Sequence, residues 1–214
     1  MPKVFLSAGH GGSDPGAVAN GLTEKYINLT TLVACQEVLI RHGVRVTCSR
    51  TTDADDPVSQ EVKEANASNA DIAVSFHANA GGGDGFEAFY YSTSAEGKKL
   101  ARLCEKYVKG LGQNSRGVKC GDNLRFVKGT KMTSVLVESF FVDNAADKKI
   151  GDTVAEQKAF GVAYAKAILE YFGIPHKDPI TYKVQVGAYR NKTNAETTAN
   201  KLKKDGYEAV IVKE

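Results

Sequence analysis

The chain has 214 residues, 25% of them charged and 42% hydrophobic, proportions that exclude a disordered, collagen-like or coiled-coil protein and predict one domain with a small appendage. The net charge of +3 lies from His176 onward, where eight Lys/Arg meet five Asp/Glu; twenty of each sign precede it. That density is too low for a nucleic-acid stripe, and no apolar run approaches the ~20 residues of a membrane span.

The start, Met1-Pro2-Lys3-Val4-Phe5-Leu6, lacks the basic and apolar regions of a secretory signal. This predicts a protein made in the cytoplasm that reaches any outside target by another route. Cys35, Cys48, Cys104 and Cys120 contain no CxxC pair. They read as reduced and mostly packing residues, with a Cys48–Cys120 bridge as the alternative.

In chain order the pattern predicts a strand at Val4–Ser7, a helix over Glu24–His42 ended by Gly43, and a strand at Val44–Ser49. A helix over Ser59–Asn69, a buried strand at Asp71–Phe76 and an alternating strand at Phe86–Ser92 follow. Next come a helix over Ala95–Gly110, a strand at Thr133–Phe140 and a helix over Glu156–Phe172. Gly173-Ile174-Pro175 and Pro179 then break the chain. Beyond them the pattern predicts a strand at Tyr182–Tyr189, a helix over Asn194–Lys204 capped by Asn194, and a strand at Glu208–Lys213. The expected fold is α/β: a three-layer, mostly parallel or mixed twisted sheet with helices on both faces, plus a small C-terminal βαβ unit. The expected boundaries are a catalytic domain over 1–174, a linker over 175–180 and a tail domain over 181–214.

Ligands of open α/β sheets bind beyond the carboxyl ends of the strands. The first apolar strand runs into His10, Ile72–Phe76 into His77, and Val135-Leu136-Val137 into Glu138. A Gly-rich loop after His10 leads to Glu24 in the first turn of a helix. Two imidazoles and one carboxylate make a catalytic zinc set with a fourth position for water, and the second carboxylate serves as base and proton donor. Each residue also has a plainer reading. Glu24 complements a helix dipole, His10 is a turn residue, and His77 is a satisfied buried histidine. Glu138, inside an apolar run, is costly to bury without a partner. Glu87 competes with it for the role of base. His42 at a helix end and His176 in the linker read as structural. No GxSxG, Walker or GxGxxG motif is present, and no cysteine follows a strand into a Gly-rich elbow.

Over residues 3–173 the chain resembles the zinc-dependent N-acetylmuramoyl-L-alanine amidases of the amidase type 3 family. The motifs are Ser7-Ala8-Gly9-His10-Gly11-Gly12-Ser13-Asp14-Pro15-Gly16-Ala17 with Gly21-Leu22-Thr23-Glu24, and Ala70-Asp71-Ile72-Ala73-Val74-Ser75-Phe76-His77-Ala78-Asn79 with Gly85-Phe86-Glu87. Arg116-Gly117-Val118-Lys119, Ser134-Val135-Leu136-Val137-Glu138 and Asp143-Asn144 complete the set. The resemblance implies that His10, Glu24 and His77 hold Zn2+ and that Glu138 is the catalytic glutamate. The bond it implies is the amide between the lactyl group of N-acetylmuramic acid and L-alanine of the stem peptide. Three positions depart from the family pattern: Thr133 stands where Pro is usual, Phe140 where Gly is usual, and Glu61 where Arg is usual. Phe140 is expected to narrow the groove. No helical insertion is present to occlude the site, so the enzyme is expected to be active as made.

The tail resembles one repeat of the sporulation-related (SPOR) domain, which binds peptidoglycan glycan strands and has about two such repeats when whole. A unit of ~35 residues buries too little core to stand alone, so two tails are expected to pair and make a homodimer; packing on its own catalytic domain is the alternative. The absent signal and the family resemblance together suggest a phage or prophage endolysin released through holin pores. A host amidase freed by mother-cell lysis is the second context. Zinc hydrolysis of another wall bond, or wall binding without catalysis, are the competing functions.

Overall fold

The structure, a computed structural model, describes residues 1–177 and 185–213. It divides into two units, Met1–Lys177 and Asp178–Glu214. The first contains β1 (Lys3–Ala8), a hairpin of β2 (Val18–Ala19) and β3 (Leu22–Thr23), α1 (Glu24–Arg41), β4 (Arg45–Cys48) and α2 (Val58–Ser68). It continues with β5 (Ile72–Asn79), β6 (Phe86–Tyr90), α3 (Ala95–Lys109), β7 (Ser115–Cys120) and α4 (Arg125–Gly129). It ends with β8 (Thr133–Phe141), α5 (Ala145–Gly151) and α6 (Val154–Tyr171).

Six strands form one sheet in the order β4-β1-β5-β8-β6-β7. All neighbours run parallel except β6 against β8, which is antiparallel. The sheet is therefore mixed, with the long parallel strands at its centre. Alternating residues divide between its faces: Val4, Leu6, Val74, Val135 and Val137 pack with α1, α3 and α6, whereas Phe5, Ala73 and Leu136 pack with α2 and α4. Because both faces are covered, β5 reads as a continuous apolar run rather than as clean alternation.

The two bulges in this sheet matter for the site. Between His77↔Glu138 and Asn79↔Phe141, β8 uses three steps to the two of β5. The extra residue reverses the alternation, so Ser139 and Phe140 both face the α6 side. Phe140 is fully buried there against Phe160, with ring centroids 5.6 Å apart. The expectation that Phe140 narrows the groove is thereby corrected. A second bulge lies in β7, where Phe86↔Ser115 is followed by Ala88↔Val118; Gly117, with φ +89°, supplies the left-handed backbone it needs.

Buried hydrogen bonds hold the loops around the strand ends. Asp147 is 1% exposed and accepts the backbone N–H of Gly85 at 2.9 Å and of Phe141 at 2.7 Å. Asp143 accepts those of Gly81 and Gly82, both at 2.8 Å. At the end of the unit, α6 starts with a capping box between Thr153 and Glu156. All four cysteines are free: Cys35 and Cys104 are buried, Cys48 is partly so and Cys120 is exposed. The alternative Cys48–Cys120 bridge is therefore not formed, and Cys120 is not a packing residue.

In the second unit α7 spans Lys192–Lys204 and is capped by Asn191, whose side chain accepts the Thr193 N–H, rather than by Asn194 as expected. Of the strand expected at Tyr182–Tyr189, residues 182–184 lie outside the described residues. The remainder, and Glu208–Lys213, carry no strand among the described residues. Strands require hydrogen-bonded neighbours, and an isolated pair is marginal at best. Ala199 is the only residue of α7 that is buried.

The packing of α6 against α1 depends on Gly161 of α6. A Cβ at this position would lie 2.4 Å from the Thr31 carbonyl oxygen and 2.7 Å from the Ala34 Cβ of α1. Gly161→Ala is expected to cost about 1–3 kcal/mol through overpacking, measurable in urea unfolding; an unchanged midpoint would show that the two helices tolerate separation.

Candidate active site

The site forms where β1 and β5 end against the amino terminus of α1. His10 is the second residue after β1 and has φ +64°, a conformation uncommon outside glycine that points to a backbone fixed by its surroundings. Those surroundings are visible in the loop. Gly12 and Ser13 donate backbone N–H groups to Asp53 and Asp55 at 2.8 and 2.7 Å. Lys25 Nζ bridges the Gly12 carbonyl and Asp53, and Arg50, 5% exposed, donates to the carbonyls of Ala8, Gly9 and Lys25.

Glu24, the first residue of α1, is 5% exposed and sits between the two imidazoles. Its Oε1 is 2.9 Å from His77 Nδ1, and its Oε2 is 3.3 Å from His10 Nε2. The other His10 nitrogen, Nδ1, lies 2.8 Å from Asp14. The carboxylate also accepts the backbone N–H of Ala17 at 2.9 Å and of Ala78 at 3.2 Å. Crowding of this kind needs glycine. A Cβ on Gly9 would sit 2.1 Å from the His77 ring, and one on Gly16 2.6 Å from Glu24.

One ligand atom from each of His10, Glu24 and His77 lies within 4.8 Å of the others. A tetrahedral zinc shell places neighbouring N and O ligands about 3.3 Å apart, given metal–ligand bonds of ~2.0–2.1 Å. The 3.3 Å between His10 and Glu24 matches that edge. The donor set therefore fits a zinc ion.

The electrostatics agree. Burial tends to raise the Glu24 carboxyl, but hydrogen bonds from His10 and His77 outweigh it and hold the group well below the usual carboxylate range. The Glu24 hydrogen bond lifts His10 to about 9 against the cost of burial. Burial lowers His77, but Glu24 and Glu138 outweigh it and leave that ring raised.

Glu138 stands directly beside His77 in the β5–β8 register. Its Oε2 is buried and has no hydrogen-bond partner. Burial pushes the carboxyl up to about 7, with His77 opposing. Glu87, the competing base, pairs with Glu138 across β6 and β8, but Lys119 and Arg116 outweigh its burial and hold it below its ordinary value. Glu87 is thus committed to two cations, whereas Glu138 retains an unengaged oxygen.

The four predicted residues therefore meet at one sheet edge. The other two histidines pair elsewhere, with His42 and His176 stacked at 5.1 Å. Glu61 is buried on α2, and burial raises its carboxyl. Sequence reasoning missed the part played by Asp14, Asp53 and Asp55; Asp14 stands in the Gly-rich loop itself, but Asp53 and Asp55 come from a distant acidic stretch with no local signal joining it to that loop.

Comparison with known proteins agrees with this geometry. The family described as N-acetylmuramoyl-L-alanine amidase matches residues 4–170, and the SPOR domain matches residues 178–214. The amidase CwlM of Bacillus licheniformis is 34% identical over 216 residues, covering 99% of this chain and 85% of the relative. The endolysin of Bacillus phage SPP1 is 38% identical over 176 residues, covering 75% of this chain and 64% of that protein. The catalytic domain of the amidase CwlV from Bacillus (Paenibacillus) polymyxa var. colistinus superposes with a TM-score of 0.76 at 29% identity, over 82% of this chain and 100% of that domain. From the motifs at its strand ends to its six-stranded sheet, the chain belongs to the N-acetylmuramoyl-L-alanine amidase family.

Proposed function

We propose that the protein is a zinc-dependent peptidoglycan hydrolase that cleaves the amide between N-acetylmuramic acid and the L-alanine of the stem peptide. The observation that carries this reading is the convergence of His10, Glu24 and His77 beside a half-buried Glu138 whose Oε2 is buried and unengaged. Zinc bound by the three ligands would acidify a water and polarise the lactyl carbonyl. Asp14 holds His10 Nδ1 and so aims Nε2 inward. Glu138 takes the proton of the attacking water on its unengaged oxygen and returns it to the departing L-alanine amine.

The setting we infer is that of a lytic enzyme of the phage or prophage type, released from the cytoplasm by a holin or by lysis. The identity to the phage endolysin supports it. The second context is a host enzyme, favoured by the bacterial relative that aligns over 99% of the chain, tail included.

Digestion of purified sacculi tests the reaction. The expected products are new L-alanine amino ends without new reducing sugars, abolished by a chelator and restored by zinc. Acetate, or amines from other stem residues, would assign the site to another bond; binding without new ends would leave a wall-binding protein. Glu138→Gln should keep zinc and lose about 10^2–10^4-fold in turnover, whereas His77→Ala should lose both. A Glu138→Gln enzyme with near-normal rate would remove that residue from the mechanism.

Linkage gives a pH signature. His10, raised from 6.5 to about 9, contributes stability that is complete below 6.5 and lost as pH rises through 9. Glu138, raised from 4.5 to about 7, loses its contribution as pH rises through 7. Glu24, lowered, loses its contribution only as pH falls below the ordinary carboxylate range. The metal-stripped protein should therefore melt highest near about pH 5 and progressively lower toward about pH 9. Ligation requires neutral imidazoles, so the increment from added zinc should grow over the same range. Melting curves that stay parallel with and without zinc at every pH would argue against this metal site.

For the tail we propose pairing with a second copy into one wall-binding domain. Its exposed apolar side chains support this, among them Val186 at 63%, Tyr207 at 66% and Val210 at 89%. Light scattering on the full chain should give a dimer mass; a monomer persisting at high concentration would refute the pairing.

A further inference from the structure

His77, Glu138 and Glu87 stand in one row across β5, β8 and β6, and the row continues onto the edge strand β7. On a regular strand Arg116 and Lys119, three residues apart, would point to opposite faces. The bulge at Gly117 adds one residue to β7 and turns both to the same side. There the Arg116 Nε and the Lys119 Nζ donate to the same Glu87 oxygen, Oε1, each at 2.5 Å. Asn79 donates to Oε2 at 3.2 Å. The Arg116 guanidinium lies over the Phe141 ring, 5.4 Å from its centroid.

A buried carboxylate is neutralised by one cation, and here it has two. The Glu87 side chain is 7% exposed, while those of Arg116 and Lys119 are 44% and 38% exposed. The cluster therefore presents one surplus positive charge to solvent. Arg116 uses only Nε on Glu87, and its two terminal nitrogens make no hydrogen bond among the described residues. A guanidinium stacked on an aromatic ring with a free pair of donors is arranged for a carboxylate.

We propose that Arg116 and Lys119, held by Glu87 and Phe141, receive a free carboxylate on the stem residue that follows L-alanine, and so select a stem whose second residue is an acid over one in which it is amidated. The proposal rests on the amidase reading for the position of the scissile bond beside Glu138. Neighbouring strands are about 4.8 Å apart, and an extended peptide advances about 3.3–3.6 Å per residue. Cations gathered at Glu87, one strand from Glu138, therefore lie one to two residues from the bond cut.

The test is calorimetric titration of the zinc-loaded protein with the γ-N-methylamides of L-alanyl-D-glutamate and of L-alanyl-D-isoglutamine, which differ only in whether the α-carboxyl is free; it reads binding without turnover. The acid should bind about tenfold more tightly, as expected for a charge-assisted hydrogen bond. Lys119→Gln should reduce that ratio. Glu87→Gln/Arg116→Gln/Lys119→Gln, which neutralises the cluster yet leaves no buried charge unpaired, should bring the two peptides to within about twofold of each other. Equal binding by the wild-type protein, or a preference that survives in the triple variant, would overturn the proposal. A preference shown by a protein that releases no L-alanine ends from sacculi would instead count against the amidase reading and leave the carboxylate site standing.

Discussion

Much of the catalytic unit is organised around one carboxylate. Glu24 is buried at the first turn of α1 and engages two imidazoles and two backbone N–H groups at once. Burying an unpaired carboxylate there would be prohibitive, so β1, β5 and α1 must be delivered to one point within tenths of an ångström. The loop after β1 accepts a left-handed His10 and is tied down by Asp53, Asp55, Lys25 and Arg50. The metal site proposed for His10, Glu24 and His77 would need this rigidity, because a ligand shell tolerates little error in distance.

The parallel centre of the sheet provides the framework, and its irregularities provide the chemistry. A continuous ladder would carry Phe140 onto the face of Glu138 and split Arg116 from Lys119. The bulge in β8 sends Phe140 into the core beside Phe160, while the bulge in β7 gathers both cations on Glu87. Each adds a single residue to one strand, and each lies next to the His77–Glu138–Glu87 row, where bulges commonly re-aim side chains.

This explains which features were legible in the sequence. Apolar runs ending in His10, His77 and Glu138 are local signals, and burial on both faces makes them strong. The helices over Glu24–Arg41 and Val154–Tyr171 carry long apolar patterns, and their predicted ends differ from the observed ones by two residues or fewer. The strand Ser115–Cys120 was missed because an edge strand with residues Ser-Arg-Gly-Val-Lys-Cys shows neither alternation nor an apolar run. Register shifts were invisible because they depend on which residues stand opposite each other, which is a property of pairs of strands. The Phe140 expectation rested on a large side chain standing where the family usually has Gly; the register shift after Glu138, which turns the ring into the core, could not be read from that position alone. In the tail, the alternating residues near Val186 and Val210 were read as strands from their pattern alone, yet a strand is completed only by a neighbour that accepts its hydrogen bonds.

Three glutamates so close together pose an electrostatic problem, since like charges on adjacent strands repel. The fold gives each a different solution. Glu24 is kept ionised by two imidazoles, and Glu87 by an arginine and a lysine. Glu138 receives no cation of its own and is lifted by burial, with both neighbouring glutamates adding to the rise. Groups of identical chemistry are thus separated in proton affinity by environment alone, which is how acid and base roles are divided in many active sites. Removing the cations from Glu87 would leave a charge beside Glu138 without compensation and raise the latter further. The edge strand therefore influences the proton affinity of the proposed catalytic group even though no residue of β7 approaches His10 or Glu24 in the sheet order.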